Sequence, residues 1–380
     1  MNYKLSEIAE INPRESLPKG TIAKKISMDI LQPFCRDVPV FSYEAYSGGT
    51  KFRNGDTIMA RITPCLENGK TAQIRILGEN EVAFGSTEYI VFRAKEGIST
   101  PDFIYYLVCS SLVREPAIKS MVGSSGRQRV QTDVLANLEL DITDYDTQAR
   151  IAGLLSAIDN KIENNTKIND NLLQQACTFF DKFYDKSPNQ RPFTTLIKVL
   201  GGGTPKTDTP DFWNGSIPFF TPKDVGTPYA FKTEKSITEA GLAHCNSRLY
   251  QKNTTFVTAR GTVGKVSLAG IPMAMNQSCY ALASDTVDPL LVYFYVLKAV
   301  ASLKHKASGA VFDAIVTRDF ESETINILSD DDSKSVLSVI KPMMETIHNN
   351  SDENMRLVTL RDSLLPKLMS GELDVSAIQV

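Results

Sequence analysis

Residues 151–183 read IAGLLSAIDNKIENNTKINDNLLQQACTFFDKF, in which Ile151, Leu155, Ile158, Ile162, Asn165, Asn169, Leu172, Ala176, Phe179 and Phe183 stand alternately four and three apart. Adding 185 to each number gives a second series: Val336, Ile340, Met343, Ile347, Asn350, Asn354, Leu357, Arg361, Leu364 and Leu368. Each is the seam of a heptad helix. Both seams carry asparagine at the same two mid-seam positions, and Ile162-Glu163-Asn164-Asn165 matches Ile347-His348-Asn349-Asn350. A buried asparagine fixes the register of a helix pair at a cost in stability. The shared interruption therefore predicts two antiparallel helices packed on each other, with Ile158, Ile162, Asn165, Asn169, Met343, Ile347, Asn350 and Asn354 along the contact. The first helix is expected over 146–186, with Asp144 or Thr143 as its cap and Ser187-Pro188 as its stop. Pro342 is expected to start or kink the second, giving a helix over 342–368. Arg361 breaks the apolar series and is expected to snorkel from the seam edge.

Outside the helices the two halves echo each other more faintly. Gly55–Arg61 matches Asn253–Arg260, Phe103–Val108 matches Leu291–Val296, Asn12-Pro13-Arg14 matches Thr204-Pro205-Lys206, and Ser125-Gly126 matches Ser308-Gly309. Runs rich in β-branched residues, Asp56–Ile62, Thr71–Ile76, Glu88–Phe92, Thr255–Thr258 and Lys265–Ala269, read as strands between Gly- and Pro-rich turns. The expected class is α+β. Two globular mixed α/β units, 1–145 and 191–329, alternate with long helices at 146–190 and 330–380 in a pseudo-two-fold repeat, each unit built on one small, irregular sheet.

Composition removes several functions. The chain has 380 residues, 42% hydrophobic and 22% charged, which suits two or three folding units. It has no apolar run long enough to span a bilayer, and its first residues lack the pattern of a signal peptide. Six scattered cysteines without a C-x-x-C pair read as reduced, mostly buried thiols of a cytoplasmic protein. Three histidines, His244, His305 and His348, offer no metal-ligand spacing. Pro64–Thr71 approaches a phosphate-binding loop, but Pro64 stands where its first glycine belongs. No adenine-methyltransferase N/D-P-P-Y/F motif, hydrolase elbow or zinc-protease motif occurs. Net charge is −3, although residues 191–329 carry 14 basic against 11 acidic side chains, and 330–380 carry 5 against 9. A local nucleic-acid-binding face is compatible with this distribution.

Three stretches add a resemblance. Thr204-Pro205-Lys206 followed by Phe212–Asp224 (FWNGSIPFFTPKD), together with Ala60–Lys70 (ARITPCLENGK), resembles the target-recognition domains of type I restriction–modification specificity subunits. Ser363–Leu373 (SLLPKLMSGEL) is similar to the end of the distal helical region in that family. The resemblance covers essentially the whole chain. It implies that 1–145 and 191–329 are two target-recognition domains reading a split double-stranded DNA site, with 146–190 and 330–380 as conserved helical regions. It also implies partners: two methyltransferase subunits using S-adenosylmethionine, and two motor–nuclease subunits using ATP and Mg2+. This chain itself is then expected to hold no cofactor and no catalytic site. A second reading, a coiled-coil adaptor whose ends bind protein, stands beside it.

If DNA is the partner, base edges call for Arg, Lys, Asn and Gln, and phosphates for cations and hydroxyls. The candidates are Arg61, Asn68, Lys70, Arg127, Gln128 and Arg129 in the first globular unit. In the second they are Thr204, Lys206, Lys223, Arg260, Lys265, Asn276 and Gln277.

Overall fold

A computed structural model describes residues 2–124, 126–226, 228–306 and 314–376. The echo between Ser125-Gly126 and Ser308-Gly309 therefore falls partly outside the described residues. The chain divides into two units, Met1–Asn164 with Arg356–Val380, and Asn165–Met355. Two 40-residue helices, Tyr145–Tyr184 and Asp330–Met369, run through both divisions.

In the first unit, strands Ala9–Ile11, Tyr89–Ala94, Thr57–Ala60 and Thr71–Gln73 lie side by side in that order, every pair antiparallel. Thr57–Ala60 is buried along its whole length, as befits a strand covered on both faces. The helix Pro101–Cys109 packs on this sheet through Phe103, Ile104 and Leu107. Thr100 caps it, its hydroxyl accepting from the Phe103 amide at 3.2 Å, with Pro101 in the first turn. A second sheet orders Ser42–Ala45, Ile22–Ile26, Ala83–Gly85 and Thr50–Phe52, and its central pair is parallel. Asn2–Lys4 pairs with Glu139–Asp141, tying the chain start to the strand just before the first long helix.

The second unit repeats the plan. Lys198–Gly201, Cys279–Ala283, Thr255–Thr258 and Val266–Ala269 form the same antiparallel order, and Tyr229–Ala230 adds a parallel edge strand. Pro289–Lys306 takes the place of the packing helix. Trp213–Phe220 sits between Lys235–Ile237 and, in parallel, Ala274–Met275. Gln190–Pro192 pairs with Thr324–Asn326 before the second long helix. The strands read from sequence are present within a few residues of their expected limits. Each unit nevertheless holds two sheets and a two-stranded ribbon, not the single small sheet expected. The extra strands are two to eight residues long and draw on distant partners, so no local alternation marks them.

The long helices pair antiparallel. The Asn165 amide donates to Asn354 Oδ1 at 2.9 Å, and the Asn350 amide donates to Asn169 Oδ1 at 2.9 Å. Asn165 and Asn169 are buried, while Asn350 and Asn354 are half-buried. Asp144 caps the first helix, accepting from the Thr147 amide at 3.0 Å and its hydroxyl at 2.8 Å.

Four expectations need correction here. The second helix does not begin or break at Pro342, because it starts at Asp330 and continues past both Pro342 and Pro366. Both prolines lie on the exposed face, where the carbonyl left without an amide partner can bond water. The seam also drifts from a strict heptad: Phe180 and Met344 are fully buried, while Phe179, Phe183 and Met343 are only partly so. A straight helix turns once per 3.6 residues, so a 3.5-residue count slips along its length. Arg361 does not snorkel; it is buried and donates to Asp159 at 2.9 Å. The cysteines are free, but only Cys279 is buried and the other five are half-buried.

Candidate nucleic-acid interface

Backbone hydrogen bonds build the same corner in both units. In the first, Ala60 N donates to Lys70 O, Arg61 N to Glu88 O, and Val130 N to Arg61 O, at 2.9 Å each. In the second, Thr258 N donates to Lys265 O at 3.0 Å, Ala259 N to Ser278 O at 2.8 Å, and Ile315 N to Ala259 O at 2.9 Å. Lys70 and Lys265 thus hold equivalent places where the chain returns into the sheet. Arg61 is equivalent to Ala259, so the Ala-Arg echo of the sequence is displaced by one residue and Arg260 lies one position further along the loop.

The first corner gathers its candidates. Ile62 forms a β-bridge with Arg129, and Thr63 N donates to Gln128 O at 3.0 Å. The stretch 61–70 therefore lies against the loop that carries Arg127, Gln128 and Arg129. Arg127 and Asn68 are exposed. Arg129 is exposed but holds Glu88 with Nε at 3.0 Å and Nη2 at 2.7 Å. That bond keeps the Glu88 carboxyl below the usual glutamate value. Lys70 donates from its ammonium to Met28 O at 2.7 Å, which anchors the side chain on the first unit. Arg61 is half-buried, with Nη2 on Val130 O at 3.3 Å.

The second corner does the same with different chemistry. The Thr204 hydroxyl donates to Gln277 Oε1, and Thr262 Oγ1 donates to Pro222 O at 3.3 Å, next to Lys223. Segments 202–204, 221–224, 259–265 and 276–278 meet there. Lys206, Arg260, Lys265 and Gln277 are exposed. Lys223 pairs with Glu234 at 3.2 Å. Asn276 is spent on the turn, its Oδ1 accepting from Ser278 N at 3.0 Å. Trp213, the one tryptophan, is held by Nε1 on Lys206 O at 3.0 Å, so it positions the Lys206 loop.

Sequence reasoning missed a polar network under the first unit. Arg361 meets Asp159, and the Tyr106 hydroxyl donates to the other Asp159 oxygen at 2.6 Å. Arg36 reaches Glu163 at 2.6 Å and also bonds Asn160. Arg36, Tyr106, Asp159 and Arg361 are all buried. The network clamps the recognition unit to both long helices, and a charged residue on a seam was its only sequence signal.

A sheet pair with loop corners carrying exposed Arg, Lys, Asn and Gln, repeated and strung on paired helices, defines a modular reader rather than an active-site cleft. The chain matches the type I restriction modification DNA specificity domain over residues 1–174 and again over 193–357. It is 22% identical over 406 aligned positions to the HindI specificity subunit of Haemophilus influenzae, covering 84% of this chain and 87% of that one. It is 28% identical over 163 to the MjaIX specificity subunit of Methanocaldococcus jannaschii, a match spanning 41% of this chain but only 38% of that relative. A crystal structure of the type I S subunit from M. genitalium shares the fold, with TM-score 0.60 at 13% identity over 97% of this chain and 95% of that one. The chain belongs to the family of type I restriction–modification DNA specificity subunits. Such a subunit confers DNA sequence specificity and is not itself catalytic. Nothing in these likenesses favours a protein-binding adaptor.

Proposed function

We propose that the two units, centred on 1–145 and 191–329, each read one half of a bipartite double-stranded DNA site, while the helix pair sets the gap between the halves. The observation that carries this is the repeated corner: the same backbone bonds set Arg61 and Lys70 in one unit where Ala259 and Lys265 stand in the other, with the 127–129 loop beside the first corner and Arg260 one position along the loop of the second. Different side chains at equivalent places suit two different half-sites. In this reading the conserved helical regions 146–190 and 330–380 carry two methyltransferase subunits and, through them, two motor–nuclease subunits. S-adenosylmethionine, ATP and Mg2+ belong to those partners. The work is cytoplasmic; among the described residues no helix is long and apolar enough to cross a membrane.

Arg260→Ala in the assembled methyltransferase provides the test. A lost base contact relaxes one position of one half-site by about 1–3 kcal/mol, read as newly methylated sites differing at that position. If the unaltered complex bound duplex DNA with no dependence on salt, the DNA-reading proposal would fail.

A further inference from the structure

Between the two sheets of the first unit lies an open cleft lined by Asn12, Arg14, Lys51, Arg61, Thr87 and Tyr89. Asn12 adopts a left-handed backbone (φ 53°), and its Oδ1 accepts from Val91 N at 3.0 Å. This pins the turn that presents Arg14. The Arg14 side chain is exposed and has no ion pair among the described residues. The Lys51 ammonium donates to Glu15 O, which fixes its direction and leaves further N–H donors. Arg61 Nε and the Tyr89 hydroxyl are buried without a hydrogen-bond partner, and such groups are rare in native proteins. The carboxylates near them are already paired: Glu88 is held by Arg129 at 2.7 Å, and Glu15 meets Arg53 at 2.5 Å and Arg93 at 2.7 Å. Burial acts to raise the Glu15 pKa, yet the two guanidiniums hold it below the usual glutamate value. The cleft thus concentrates positive charge in a chain whose net charge is −3.

We propose that this cleft seats one phosphate of the DNA backbone, gripped by Arg14, Lys51 and Arg61. This rests on the reading of the chain as a DNA-binding subunit and adds Arg14 and Lys51 to its contacts. The chemistry selects phosphate over an extruded base. Three cations and the Thr87 side chain surround the opening, whereas the one aromatic ring, Tyr89, is only 2% exposed and offers no face for stacking. A phosphate held here would set the register of the adjoining corner, where the 127–129 loop would stand over the bases.

The experiment is equilibrium binding of the assembled methyltransferase to its target duplex and to an unrelated duplex, over a range of salt. The variants are Arg14→Ala and Lys51→Ala, with Arg14→Lys as rescue and Lys119→Ala, an exposed lysine on another helix, as comparator. A phosphate contact predicts that each alanine variant weakens both duplexes by the same factor. It also predicts a salt slope shallower by about one unit per contact, an unchanged methylation pattern, recovery in Arg14→Lys and no change in Lys119→Ala. Unchanged affinity and slope in both alanine variants would overturn the proposal, as would relaxed recognition of a single base pair, which would make these residues base readers. If the unaltered complex showed no salt-dependent binding, the DNA-reading proposal itself would fall and this one with it.

Discussion

Arg361 is a buried cation on the seam of two packed helices, paired with Asp159 at 2.9 Å. As a charge on an apolar seam it was conspicuous, but its partner Asp159 is 202 positions away, and no local pattern points to it. Burial decides its behaviour, since a guanidinium cannot stay in a helix interface without an anion. Arg361→Ala strands Asp159 and should cost about 3–5 kcal/mol, read as a fall in denaturation midpoint. Arg361→Lys should fail to rescue fully, because the arginine also holds Asp362 at 2.8 Å through the same fork. Equal stability in Arg361→Ala would show that Asp159 is solvated. Arg129 is the reverse case. The sequence identified it as a reader, but its fork is committed to Glu88, 41 residues away. Glu88→Gln should release it, raising affinity for duplex DNA and steepening the salt dependence. Because the folded-state pKa of Glu88 is depressed, the pair is intact above the ordinary glutamate value of about 4.3 and is lost as pH falls through the lowered one. At neutral pH the variant and the native protein therefore differ fully, and they should converge only as pH falls through the lowered value. No difference in DNA binding at pH 7 would place Arg129 outside the interface.

Among the elements, the long helices were the most legible because their burial repeats with a fixed period over 40 residues. Aligning the two seams matches Asn165 with Asn350 and Asn169 with Asn354, and running the helices antiparallel exchanges these partners to give the pairs 165–354 and 169–350. What the seam could not show was the tolerance of Pro342, which depends on the ring facing water. The central strands, such as Thr255–Thr258, were legible from β-branched runs, whereas the second sheets were not: the parallel pair of Ile22–Ile26 with Ala83–Gly85 joins segments some 60 residues apart. The interface split likewise. Arg61 stood out by motif as a candidate, whereas the proposed contacts Arg14 and Lys51 are brought beside it only by the fold. The asparagines yield a test of their own. Asn169→Leu with Asn350→Leu replaces a polar pair by an apolar one, and should raise the melting temperature while loosening the choice of register. A lower melting temperature in the double variant would mean that the amides stabilise the pair outright.

At the scale of the whole molecule, the repeat turns a specificity question into one about modules. Each unit has its own hydrophobic core, its own two sheets and its own corner. Because the core of one does not depend on the side chains of the other's corner, the half-sites should be read independently. Replacing 191–329 with the matching segment of a relative should therefore change one half-site and leave the other as it was. Cutting points at 190 and 330 fall close to the ends of the long helices, so the asparagine register and the Arg361–Asp159 pair remain intact. Inserting or deleting a heptad in both helices preserves the seam and should alter only the spacer, by about one base pair per 3.4 Å of axial shift. Genome-wide mapping of methylated adenines in cells carrying the native chain, the swapped chain and the heptad variant reads all three outcomes at once. Half-sites that changed together after the swap would show that the two units act as one recognition surface. An unchanged spacer in the heptad variant would show that the helices do not set the gap.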